Sequence, residues 1–156
     1  MKKSSRHSKI AGDFAESLVL YWLSKSGYEC ARVDHTGIDI IAADKAGQAR
    51  IGISVQCRSR LAGREKESLN LHEFEKAREA CRAFSCKPYA ALVVDGGNII
   101  RCFMVSLDHL EQIASGTSGA QRYWLMSDKF LKKNKDDANI QRFELAYTNL
   151  NWPDLE

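Results

Sequence analysis

Proline is nearly missing from this chain, with 2 in 156 residues beside 10 glycines. That scarcity excludes collagen-like and linker-like material. No apolar run approaches the ~18 residues of a membrane span. Met1–Lys9 is basic and polar and carries no apolar stretch long enough for a secretory signal. The 5 cysteines (Cys30, Cys57, Cys81, Cys86 and Cys102) are odd in number and widely spread, and no two form a C-x-x-C pair. A zinc ribbon or finger is thereby excluded. Most of these cysteines sit in apolar or alternating stretches, which reads as buried, reduced thiols in a cytoplasmic protein. There is no P-loop, no G-x-G-x-x-G and no H-E-x-x-H. Gly52-Ile53-Ser54-Val55-Gln56 opens like a nucleophile elbow but lacks the closing glycine and the following helix.

What remains is an ordinary globular balance, 44% hydrophobic and 28% charged, in a length that suits one domain. The net charge of +3 permits a nucleic-acid partner without demanding one. Met1–Lys9 reads as a flexible basic arm, residues 10–150 as the domain and residues 151–156 as a tail. Gly12–Ser26 has helical periodicity, with Phe14, Leu18, Tyr21 and Trp22 forming an apolar stripe that Val19, Leu20 and Leu23 widen, and Gly27 as the stop. Strands are expected at Tyr28–Val33, Ile38–Ala43 and Ile51–Cys57. A polar loop over Ser59–Ser68 precedes a helix from Leu71 to Phe84, with Asn70 in the cap role. Tyr89–Val94 and Ile99–Val105 flank the hairpin turn Asp95-Gly96-Gly97-Asn98. A short helix to Ala114, a strand over Arg122–Met126, a basic helix over Asp128–Lys135 and a strand over Ile140–Thr148 complete the chain. This order predicts an α/β domain, a mixed central sheet flanked by helices.

Three features stand out from that plan. Glu16 heads an apolar helical stripe, where a carboxylate is either a first-turn residue favoured by the helix dipole or buried and paired. Asp39 interrupts Ile38-x-Ile40-Ile41, a strand otherwise fit for the interior, and is either edge-exposed or partnered. Ser54, Gln56 and Arg58 share one face of the next strand, which can lie beside Asp39 in a hairpin. A helix carboxylate, a strand Asp and polar groups on the following strand are the parts of a metal-centred hydrolytic site.

Gly12-Asp13-Phe14-Ala15-Glu16, Gly27-Tyr28, Gly37-Ile38-Asp39-Ile40-Ile41-Ala42 and Ile53-Ser54-Val55-Gln56-Cys57-Arg58, taken in order, resemble the restriction-endonuclease-like superfamily, the P-D…(D/E)-x-K nucleases. The nearest look is to its Holliday-junction-resolvase-like branch. The resemblance covers roughly Lys9–Arg60 by motif. In that family a helix Glu, a strand Asp and an acid on the next strand hold one or two Mg²⁺, and a Lys two residues after the acid activates the attacking water. The resemblance places Glu16 and Asp39 on the first two positions, with the Val55 carbonyl as a further metal ligand. It puts Ser54 where the acid belongs and Gln56 where the Lys belongs. A second register sets Gln56 on the acid position and Arg58 on the base position, although a guanidinium cannot act as a base. Either way the site lacks its Lys, and a Mg²⁺ held there would be held weakly.

The function this implies is a DNA-acting, Mg²⁺-dependent phosphodiesterase or its degenerate descendant. The alternatives are a non-catalytic nucleic-acid-binding or assembly subunit and a protein-interaction module. Arg58, Arg60, Arg64, Lys132 and Lys133, with Lys66, Lys129 and Lys135 nearby, either line a phosphate-backbone groove or are solvated faces diluted by neighbouring acids. His35 lies in the turn beside Asp39 as a further metal or phosphate contact, or as a plain turn residue. The expected partner is nucleic acid, DNA foremost, with no membrane; a homodimer remains open.

Overall fold

The computed structural model describes residues 5–59, 68–116, 122–125 and 128–148. Its first helix, α1, spans Ser5–Lys25. It starts well ahead of Gly12, so residues 5–9 of the expected arm are helical, while residues 1–4 and the expected tail lie outside the described residues. The strands are β1 (Glu29–His35), β2 (Ile38–Ala43), β3 (Arg50–Ser59), β4 (Ser68–Asn70), β5 (Lys87–Asp95), β6 (Ile99–Ser106), β7 (Tyr123–Leu125) and β8 (Gln141–Ala146). The remaining helices are α2 (Glu75–Ala83), α3 (Leu107–Ile113) and α4 (Asp128–Lys133). The helix expected from Leu71 to Phe84 begins as a 3₁₀ turn at Leu71–Phe74, capped by Asn70, whose side chain accepts from the His72 N–H at 3.0 Å.

Six strands form one sheet in the order β1-β2-β3-β5-β6-β8, and β4 pairs with β7 apart from it. Only β3 and β5 run parallel in the main sheet, and α2 supplies the crossover that a parallel pair requires. The alternation of β3 then sorts its residues. Ile53, Val55 and Cys57 join the core beneath α1, with Val19, Ile40, Ala91 and Val93. Gly52, Ser54, Gln56 and Arg58 turn to the other face, where Ile38, Ala77, Cys81, Leu92 and Leu110 pack under α2 and α3. Each fully buried Ile or Leu in these layers contributes roughly 1.5–3 kcal/mol.

The buried stripe of α1 is Ala15, Val19 and Leu23, all 4% exposed or less, rather than one that includes Phe14 and Tyr21, which are 45% and 63% exposed. The helix carries two overlapping apolar stripes, and periodicity alone does not rank them. Ala15, being small, lets the helix lie close against Ile40 and Ile53. Gly37 and Gly52 are set by close approach. Gly37 has φ +103°, and a Cβ there would run into the backbone of Lys76 and Ala77. A Cβ on Gly52 would stand 2.5 Å from Cys81 Sγ and 2.7 Å from Cys86 Sγ. No described helix is long and apolar enough to cross a membrane.

Candidate functional site

The antiparallel ladder of β2 and β3 runs from Ala43↔Arg50 to Ile40↔Ile53. Beyond it the Val55 N–H donates to Asp39 Oδ2 at 2.6 Å. The carboxylate thus substitutes for strand pairing where the two strands part. This explains how an Asp is tolerated in a strand this apolar: its charge is met by a backbone donor. Burial raises the Asp39 carboxyl above its ordinary range, opposed by the Val55 N–H and by the Arg32 charge.

Glu16 stands beside Ala15 on α1, on the side of the helix that covers the sheet. Its carboxyl is also raised, first by burial, then by repulsion from Asp39, with Arg32 pulling the other way and Asp13 adding to the rise. Repulsion from Asp39 is thus the second cause of the rise in Glu16, after burial. The helix acid and the strand acid share one electrostatic neighbourhood.

Arg32 belongs to this neighbourhood and was not singled out from the sequence. It lies on β1 opposite Ile40. Its Nη2 is 3.2 Å from Glu16 Oε2 and donates to the Asp13 carbonyl at 3.0 Å and to Ser17 Oγ at 3.2 Å. The usable signal was a cation on the strand that hairpins onto Asp39; without the hairpin register, nothing in the local sequence marks it.

Ser54 is buried at 5% exposure, and Gln56 and Arg58 are half-buried. They pair in register with Ala90, Leu92 and Val94, so they share the face under α2. Arg58 Nη2 reaches Glu73 Oε2 at 3.4 Å, and its Nη1 donates to the Cys57 carbonyl at 3.0 Å. A groove of about 400 Å³ opens between His7–Gly12 of α1 and Val55–Ser59 of β3, and neither acid lines it. Val55 thus bonds Asp39 through its N–H and also lines this groove.

His35 engages its own turn, with Nδ1 3.0 Å from the Thr36 carbonyl and its ring edge-on to Phe84 at 5.0 Å between centroids. His109 lies far from the acids in sequence and pairs with Asp137 at 2.7 Å. Lys132 and Lys133 close the short α4, which ends at Lys133 rather than Lys135. Arg60, Arg64 and Lys66 lie outside the described residues. Among the described residues no three acidic, histidine or cysteine side chains gather closely enough to hold a metal ion.

A Holliday junction resolvase from the archaeal hyperthermophile Archaeoglobus fulgidus is similar in structure, with a TM-score of 0.54 at 21% identity over 78% of this chain and 88% of that one. The fold is restriction-endonuclease-like. A restriction endonuclease in complex with substrate DNA is also similar, with a TM-score of 0.46 and 15% identity over 97% of this chain and 77% of that one. No protein-family model matches the chain, and no curated protein matches it by sequence. Within this fold, Glu16 comes from α1 and Asp39 from β2, where β2 and β3 part.

Proposed function

We propose that this chain binds DNA and carries a depleted phosphodiesterase centre, so that it is a poor nuclease at best. The observation that carries the reading is the cation at the acid pair: Arg32, at 3.2 Å from Glu16, supplies part of the neutralisation that the two acids need. Two carboxylates and the Val55 carbonyl are oxygen donors of the kind Mg²⁺ takes. They would hold it weakly, because Asp39 already commits one oxygen to the Val55 N–H and Glu16 is ion-paired. Bound there, a divalent ion would polarise a phosphate and acidify a water.

The chain's own residues supply less. Ser54 adds no negative charge at the acid position. Gln56 can hydrogen-bond a phosphate oxygen or a water but brings no positive charge to a developing phosphorane. Phosphate contacts are assigned to Arg58, Arg60, Arg64, Lys132 and Lys133, which would hold the backbone without reading sequence.

The test pairs binding with cleavage. Labelled linear, branched and single-stranded DNA are titrated at about 50 and 200 mM salt, where several phosphate contacts make affinity fall by orders of magnitude. Cleavage is assayed with Mg²⁺ and Mn²⁺ for the wild type, Asp39→Ala, and the double variant Ser54→Glu with Gln56→Lys. Salt-sensitive binding, weak wild-type cleavage and a gain in the double variant that Asp39→Ala abolishes would support the proposal. Robust wild-type cleavage lost on Asp39→Ala would overturn the depleted centre. A folded double variant that binds DNA but neither binds metal nor cuts would leave a non-catalytic binding or assembly subunit.

A further inference from the structure

A concentration of cations lies away from the acid pair, at the far edge of the sheet. A cavity of about 570 Å³ opens between β6, β8 and α4, with Arg101, Phe103, Arg142 and Glu144 on the sheet side and Lys132 and Lys135 on the other. Four cations therefore face one carboxylate. That carboxylate is engaged, since Glu144 Oε1 sits 3.2 Å from Arg101 Nε. Lys132, Lys135 and Arg142 are exposed, and among the described residues no carboxylate pairs with them. Like charges held this close repel one another, and an anion between them relieves that repulsion.

Register ties this cavity to the candidate site. Gln56, Leu92, Phe103 and Arg142 form one row across β3, β5, β6 and β8, and Arg58, Val94, Arg101 and Glu144 form the next. Paired residues share a face, so the cavity lies on the same face and at the same end of the sheet as Gln56 and Arg58. Three strand spacings of ~4.8 Å separate β3 from β8, a span of about 14 Å. One strand of duplex DNA advances 3.4 Å per phosphate, so that span is about four phosphates.

We propose that the cavity between β6, β8 and α4 is a phosphate-binding site that takes a backbone phosphate of a nucleic acid whose neighbouring phosphates lie towards Arg58. The proposal rests on the DNA-binding reading above for its source of phosphate. The chemistry of the cavity asks only for a phosphate oxyanion, so free phosphate or a nucleotide is the other source.

The experiment uses the full chain and the variants Lys135→Gln, Arg142→Gln and the two combined, all exposed positions at which circular dichroism should report an unchanged fold. Binding of labelled duplex and single-stranded DNA is measured from 50 to 200 mM salt. Thermal shift with inorganic phosphate and with a mononucleotide is measured in parallel. The expected result is weaker binding to every DNA sequence and a salt slope shallower by about 1 in the double variant, for the one phosphate contact removed. Arg58→Gln should weaken binding independently, as the other end of the track. Unaltered DNA binding, with phosphate-induced stabilisation that the double variant loses, would keep the phosphate site and overturn the nucleic-acid source. Wild-type DNA binding that the double variant leaves unchanged, with no phosphate effect, would overturn the cavity while leaving the DNA-binding reading intact. A wild type that binds no DNA would overturn that reading itself, and the phosphate arm would then decide the cavity alone.

Discussion

Asp39→Asn is the substitution that most directly tests the electrostatics of the acid pair, because it removes the charge and keeps the shape. The asparagine Oδ1 can still accept the Val55 N–H that Asp39 accepts at 2.6 Å. Burial raises its wild-type carboxyl above the ordinary 3.8, so in the folded state the charged form is disfavoured. For a carboxylate with a raised folded pKa the sign is opposite to the usual case. The penalty is fully present above the folded pKa, and it disappears as pH falls towards the unfolded value. Glu16 carries the same sign, with Asp39 as its second cause after burial. At the ~6 Å range over which like charges shift a carboxylate, Coulomb's law gives about 0.7–1.4 kcal/mol for dielectric constants of ~80 and ~40. Arg32 offsets part of this from its exposed position, and an amide acceptor is weaker than a carboxylate. The expected net gain for Asp39→Asn at pH 7 is therefore about 0.5–1 kcal/mol, a rise in Tm of roughly 1–4 °C for a domain of this size. The assay is thermal and urea unfolding of both proteins at intervals from pH 4 to pH 8. The gain should shrink as pH falls towards 3.8. A variant less stable than the wild type at pH 7, or a difference constant across the range, would refute the claim that these acids strain the fold.

Mn²⁺ or Mg²⁺ should raise the Tm of the wild type and leave Asp39→Asn with Glu16→Gln unmoved; occupancy at ten times Kd corresponds to about 1.4 kcal/mol, and equal shifts in both proteins would place the ion elsewhere. Gly52→Ala forces a methyl against the Cys81 and Cys86 thiols and should cost about 1–3 kcal/mol in urea unfolding, whereas an unchanged midpoint would show that α2 can move away freely. Asp137 is held below its ordinary range, first by the His109 hydrogen bond and then by the Asn139 N–H. Its contribution is present above the unfolded value of 3.8 and lost as pH falls through the lowered one, so Asp137→Asn should destabilise near neutrality and converge with the wild type in acid.

The fold was legible where local rules agree with tertiary need. Ile38–Ala43 is a strand with the expected boundaries, and the loop Asp95–Asn98 joins β5 and β6 as the turn residues require. The strand expected over Arg122–Met126 contains β7, but the 3₁₀ start at Leu71–Phe74 and the partner strand β4 were not legible, because a 3₁₀ turn shares helical periodicity and a three-residue strand is specified by its partner rather than by itself. On α1 the failure was one of ranking. Phe14 and Tyr21 carry larger apolar surfaces than Ala15, yet the sheet takes the helix face with the smaller side chain, where close approach packs the strands below densely.

The candidate site divides along the same line. Glu16 and Asp39 could be found because each breaks an apolar pattern, and a charge in such a pattern demands a reason. Arg32 breaks no pattern, since an arginine on an exposed edge strand costs nothing locally. Its significance arises only from hairpin register and from the approach of α1, both of which are non-local. The basic cavity was half visible for the same reason. Lys132 and Lys135 sit in a recognisable basic stretch, but Arg101 and Arg142 come from two different strands, and each lies opposite a residue that sequence alone could not assign to it. A carboxylate pair at one edge and a cationic cavity at the other suit a polyanion bound mainly away from its acids. Binding energy then comes from the cations, while the acids stay available to a cation of their own. That division makes DNA affinity and metal affinity separable by mutation, so Lys135→Gln with Arg142→Gln should weaken DNA binding without changing the stabilisation by Mn²⁺. If both fell together in the folded variant, acids and cations would belong to one coupled site, and the two-part arrangement would be wrong.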